Sequence, residues 1–276
     1  MLGSFLAHAR LSWKALTIIV GFTLLAATSF ISGRDLLGAF FFTLSLGFKQ
    51  MALYYAPAVG SYLIGKCLYL GPRDGYVYAL PPTQPVLLTN NSIQLFIRLA
   101  IVTAGTFFLL FLPFLPPFAP ISAILDPITR IFPFNRGIFE DKVANFWCAT
   151  NVVLKWRLWA SQSTLMRLST LFTFLGFLGA AIAPIRAWLR LRNQDRTTEV
   201  PSVMQTVLLL ALLNSSMSFF LFSFQVHEKT ILLPLLPITL LLSTAPHDSS
   251  TFKLGVLANN VGMFRCASEL CSTSRK

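Results

Sequence analysis

The sequence predicts an all-α, polytopic membrane protein with about six or seven transmembrane helices. Three observations carry that expectation. Of 276 residues, 55% are hydrophobic and only 12% are charged, about half the charge of an ordinary soluble domain. Several apolar runs approach the roughly 20 residues that carry a helix across a bilayer. The basic residues, 22 Lys and Arg against 10 Asp and Glu, lie mainly between those runs, where they orient helices and meet anionic lipid. Their placement makes the lipid bilayer the expected partner and argues against nucleic acid.

The whole chain, 1–276, reads as a single transmembrane domain. Its N-terminal helices occupy 15–118, with apolar runs at 15–32, 35–48, 51–70 and 93–118. The second and third runs are separated only by Lys49-Gln50, so they form a tight helical hairpin or one broken helix. Segment 71–92 has the Gly, Pro and Asn content of a connector. The long segment 119–162 follows. The C-terminal helices occupy 163–260, with runs at 163–183 and 203–226 and a shorter one at 230–245. Residues 261–276 form an atypical tail that carries Arg265, Glu269, Arg275 and Lys276 and has no span. No fixed-period repeat is evident. The start has no charged segment leading directly into an apolar core and cleavage site, so no signal peptide is expected. Cys67, Cys148, Cys266 and Cys271 lack the paired spacing of a zinc site or a disulfide framework.

Orientation follows from segment 184–202. It holds Arg186, Arg190, Arg192 and Arg196 against Asp195 and Glu199, the strongest positive-inside signal in the chain, and is therefore expected in the cytoplasm. Counting helices then puts 119–162 and the residues after 226 on the opposite, lumenal face, with 71–92 cytoplasmic; Lys49 is lumenal too if 35–48 and 51–70 are two separate crossings. The same count places the amino terminus in the lumen, against the positive charge of Arg10 and Lys14.

Three polar clusters share the lumenal face: Lys49-Gln50, the 130–142 region and His227-Glu228-Lys229. In the second, Arg130, Arg136 and Lys142 alternate with aromatics and with Asp126, Glu140 and Asp141. Such a mixture suits anionic and sugar-like groups held at an interface. Phe132, Phe134, Phe139, Phe146 and Trp147 are expected at head-group depth. The bland reading is a loop whose charges pair locally. His227, Glu228 and Lys229 stand between two apolar runs; the bland reading is a helix end reaching water, the sharper one a functional site.

The stretches "RIFPFNRGIFEDKVANFWC" (130–148) and "FLFSFQVHEKTILLPLLP" (220–237), with "LGFKQMALYYAP" (46–57) and "YLIGKC" (62–67), resemble a known family. They are similar to the distinctive motifs of the endoplasmic-reticulum glucosyltransferases that use dolichyl-phosphate-glucose in N-glycosylation. The intact "RGIFEDKVANFWC" is similar to the branch that adds the first glucose; the sibling that adds the second glucose is the alternative within the family. A transporter or lipid-handling protein is the alternative outside it. The resemblance covers roughly residues 35–260. It implies a fragment of a GT-C fold, a multi-pass protein of the endoplasmic-reticulum membrane with a lumenal, metal-independent and inverting active site, and no cofactor. It implies dolichyl-phosphate-glucose as donor and dolichyl-pyrophosphate-linked oligosaccharide as acceptor, joined by an α-1,3 linkage. It places His227 and Lys229 near the donor phosphate, with Arg136 and Lys49 as further candidates. Glu228 is expected to orient His227, and Glu140 and Asp141 to bind sugar hydroxyls. The general base is expected on an amino-terminal lumenal loop of the family that this sequence does not contain. Met1 to Lys14 and the tail depart from the family pattern.

Overall fold

The computed structural model describes residues 2–48, 50–69, 72–73, 76–77, 90–120, 143, 145–192, 200–224, 226 and 228–274. The described residues are almost entirely helical; a two-residue antiparallel pairing of Pro72–Arg73 with Tyr76–Val77 is the extended structure among them. Three helices are long and apolar enough to cross a membrane, at Ser92–Phe114, Gln162–Trp188 and Val203–Phe222, and shorter apolar helices lie at Leu16–Ile31, Asp35–Phe48 and Lys229–Leu242. The protein is thus an all-α membrane protein. Its chain divides into two compact units, one from Met1–Ala56, Tyr62–Phe134 and Ile185–Pro201, the other from Pro57–Ser61, Asn135–Pro184 and Ser202–Lys276.

In the first unit, α1 (Leu2–Ile31) and α2 (Asp35–Phe48) form a hairpin around Gly33, whose φ of 75° lies in the left-handed region that glycine enters at no steric cost. Buried hydroxyls tie the pair: Thr23 and Ser45 are hydrogen-bonded at 3.0 Å, and Ser45 donates to the Ile19 carbonyl at 3.2 Å. A 3-10 turn (Gln50–Tyr55) leads into α3 (Ala56–Tyr69). Asp35, at the start of α2, pairs with Lys66, near the end of α3, at 2.7 Å, both only 6% exposed. Residues 31 apart in sequence meet only if the chain reverses, so the two runs flanking Lys49-Gln50 make a hairpin and not one broken helix. Ala39 and Cys67 then pack with Leu95 and Leu99 of α4 (Asn90–Phe111), which runs beside α2.

Gly65 gives "YLIGKC" a physical reason. A side chain there would meet the Trp188 ring at 2.6 Å and the Ile185 backbone at 3.4 Å, so glycine lets the end of α7 (Gln162–Arg192) lie against α3. Trp188 donates from Nε1 to the Tyr62 carbonyl at 3.2 Å, and the Tyr62 ring sits 5.8 Å from Trp188 and 5.9 Å from Phe30. The end of α1, the start of α2, the end of α3 and the end of α7 therefore meet at one end of this unit. Counting from the arginine-rich segment requires the same arrangement.

In the second unit, α7 up to Pro184 packs on α8 (Val200–Phe222) through small residues. A side chain at Gly176 would meet Ser218 at 2.9 Å, and one at Gly179 would meet Asn214 at 3.1 Å. After α8 come a 3-10 turn (Glu228–Ile231), α9 (Leu232–Leu242) and α10 (Ser250–Ser274). Gly255 and Gly262 let α10 lie against Leu242, Ile238 and Leu235 of α9. Within segment 119–162 two short helices appear, α5 (Phe146–Leu154) and α6 (Trp156–Trp159).

A labelling experiment tests the membrane count. Single cysteines at Ser161, exposed at the start of α7, and at Asp195 are expected to react with an impermeant thiol reagent from opposite sides. Labelling from the same side contradicts the count. The sequons at Asn90 and Asn214 are expected to stay unglycosylated; Asn214 lies inside α8.

Candidate functional site

The carbonyl of Phe222 organises the candidate region. As the last residue of α8 it has no helical donor to satisfy it. It accepts two hydrogen bonds instead, from Trp147 Nε1 at 2.7 Å and from Ser169 Oγ at 2.6 Å. Those two bonds pin the exit of α8 to α5 and to the first turns of α7. Trp147 is fully buried. It stacks on Phe172 at 5.9 Å and meets Trp156 edge-on at 5.7 Å. Trp147 is therefore enclosed by protein and not exposed to lipid, because its N–H is required inside to satisfy the end of α8.

Asn145 starts α5. Its Oδ1 accepts from the Cys148 N–H at 2.8 Å, a side-chain cap on the helix start, and the residue is 3% exposed. Val143 packs with Phe220 and Val226 in a buried cluster edged by Met217, Leu221 and Ile231. The C-terminal half of "RGIFEDKVANFWC" is thus built onto "FLFSFQVHEKTI": Val143 against Val226, Trp147 against Phe222. The two motifs, some 80 residues apart in sequence, form one structure.

The chain on either side of position 227 is fixed. Val226 is 7% exposed and Thr230 fully buried. Between them, Lys229 is partly exposed and Glu228 begins the 3-10 turn. Of the other residues expected at the site, His227, Arg136, Glu140, Asp141 and Lys49 lie outside the described residues. The third motif falls in the other unit, where Met51, Ala52, Tyr54 and Tyr55 are buried. Among the described residues no group of three His, Cys, Asp or Glu side chains is placed to hold a metal ion.

Sequence reasoning missed Ser169 and Asn145 as supports of the site. Neither leaves a pattern: a serine in an apolar helix and an asparagine in a polar segment are common. The Asp35–Lys66 pair was also missed, although two ionisable residues inside apolar runs are a readable signal.

Residues 17–270 match the profile of the ALG6, ALG8 glycosyltransferase family. The chain is 38% identical over 248 residues to the dolichyl pyrophosphate Man9GlcNAc2 alpha-1,3-glucosyltransferase of Saccharomyces cerevisiae, an alignment covering 90% of this chain and 39% of that protein. It is 36% identical over 238 residues to the Rattus norvegicus protein of the same name, covering 86% of this chain and 40% of the relative. A probable enzyme of that name from Schizosaccharomyces pombe is 35% identical over 249 residues, covering 90% and 42%. The chain spans about two-fifths of the length of these relatives.

Proposed function

The chain belongs to the ALG6, ALG8 glycosyltransferase family, and from that premise we propose that it serves the transfer of the first glucose in N-glycan precursor assembly. The donor is dolichyl-phosphate-glucose. The acceptor is the dolichyl-pyrophosphate-linked high-mannose oligosaccharide, in keeping with the Man9GlcNAc2 substrate in the relatives' names. The protein works in the endoplasmic-reticulum membrane with this site on the lumenal side. The observation that carries the reading is the union of the two motifs through Trp147, Phe222, Val143 and Val226.

In this reaction an acceptor hydroxyl oxygen bonds to the anomeric carbon while the carbon–oxygen bond to the donor phosphate breaks. The electron pair leaves with the phosphate, and a base takes the hydroxyl proton. Negative charge builds on the phosphate, so fixed cationic and hydrogen-bonding groups lower the barrier. His227 and Lys229 fill that role, carried on a segment held by buried Val226 and Thr230. Arg136 and Lys49 add positive charge, Glu228 orients His227, and Glu140 and Asp141 bind sugar hydroxyls.

The test is product analysis in microsomes. This chain is exchanged for the aligned region of the yeast relative, expressed in cells without their own enzyme, and supplied with dolichyl-phosphate-glucose and unglucosylated acceptor. The expected product carries one α-1,3-linked glucose. Glucose added only to an already glucosylated acceptor would support the sibling activity instead, and no incorporation by a properly inserted protein would contradict both.

A further inference from the structure

We propose that the α5–α6 pair is an interfacial anchor, seated in the head-group boundary of the bilayer with a phospholipid surface as its partner. With nine and four residues, neither helix is long enough to span a bilayer. They are broken at Lys155, whose φ of 44° is one an L residue rarely adopts, and the break turns α6 away from the line of α5. One side of the pair is fastened inward through Trp147, Phe146 and Trp156, which pack with Leu165 and Phe172 of α7. The other side is open and apolar: Val152, Val153, Leu158 and Trp159 are 78–82% exposed.

Two features identify the occupant of that open side. Trp159 stands three residues before Gln162, where a helix long and apolar enough to cross a membrane begins, so the patch adjoins the end of a candidate membrane span. Its residues also match the boundary zone: a tryptophan with aliphatic neighbours, and the exposed cations Lys155, between the two helices, and Arg167, in the second turn of α7, which complement lipid phosphates. Because α5 holds the Phe222 carbonyl, such an anchor fixes the exit of α8 at a set depth. The anchor itself does not depend on which substrate the site takes.

The experiment compares the full chain with Trp159→Phe, a change at an exposed position, in phosphatidylcholine vesicles. The difference between their emission spectra isolates Trp159. That signal is expected to be quenched at least about twofold more by lipid brominated near the head-group end of its chains than by lipid brominated near the chain ends, the depth favoured by boundary tryptophans. It is also expected to resist aqueous acrylamide. Full quenching by acrylamide would overturn the proposal by placing the patch in water. Protection from all three quenchers would overturn it by placing protein over the patch. Strongest quenching by the chain-end bromines would overturn it by placing the patch in the hydrocarbon core.

Discussion

Replacing His227 by Ala is expected to lower glucose transfer by about 30- to 1000-fold while leaving the protein inserted. The figure corresponds to roughly 2–4 kcal/mol of lost transition-state stabilisation, the usual size of one preorganised contact to developing charge. Val226 and Thr230, buried on either side, anchor the segment. The assay is transfer from dolichyl-phosphate-glucose in microsomes, in a background of the relatives' full length, with protein level measured in parallel. Val226→Ala supplies the contrast. It removes volume from the cluster with Val143 and Phe220, so it is expected to lower protein level more than the rate per molecule. Normal transfer by His227→Ala, or a loss that only follows protein level, would mean that the cluster is a structural helix end.

Lys66→Ala is expected to be the most damaging single change to stability in the first unit. It leaves the Asp35 carboxylate buried and without its cation, a situation that costs about 3–5 kcal/mol when one partner of a buried pair is removed. The environment offers little relief. Asp35 Oδ1 already lacks a hydrogen-bond partner in the structure, and Lys66 Nζ lies 6.0 Å from the Tyr62 ring centroid, where it also gains a weak cation–π attraction. Because the pair joins the outer ends of the α2–α3 hairpin, its loss is expected to appear as a smaller monodisperse fraction after heating in detergent. The double change Asp35→Asn with Lys66→Met removes both charges and should recover most of that fraction. If Lys66→Ala behaves like the native chain, the pair does not hold the hairpin.

Much of the helical plan was legible because the apolar runs are long and bounded by charge. The run 35–48 coincides with α2, which starts at Asp35 and ends before Lys49. Helix ends were less legible, for a consistent reason. Apolarity marks the part of a helix that sits in lipid, whereas helix formation tolerates Arg and Lys well. Hence α1 continues back through Lys14 and Arg10 to Leu2, and α7 continues past Pro184 to Arg192. In the same way α10 extends through Glu269 to Ser274, across most of the tail expected to hold no span. The short α5 and α6, nine and four residues long, are too brief to leave a periodic apolar signal. At the site, the sequence pointed to two motifs but not to their junction. Which tryptophan is buried depends on a carbonyl 75 residues away that Trp147 and Ser169 satisfy at the end of α8, so Trp147 and Trp159 could not be told apart until the fold placed Phe222.

We propose that the His227–Lys229 segment and the segment through Trp147 belong to one site for the donor phosphate. A dolichyl-phosphate-glucose analogue with a diazirine beside the phosphate tests it directly, by irradiation in microsomes and sequencing of the labelled peptides. Adducts are expected on the peptide spanning residues 223–231 and on the peptide spanning 136–148, both suppressed by excess natural donor. Competable adducts confined to other parts of the protein, with these two peptides unlabelled, would contradict it.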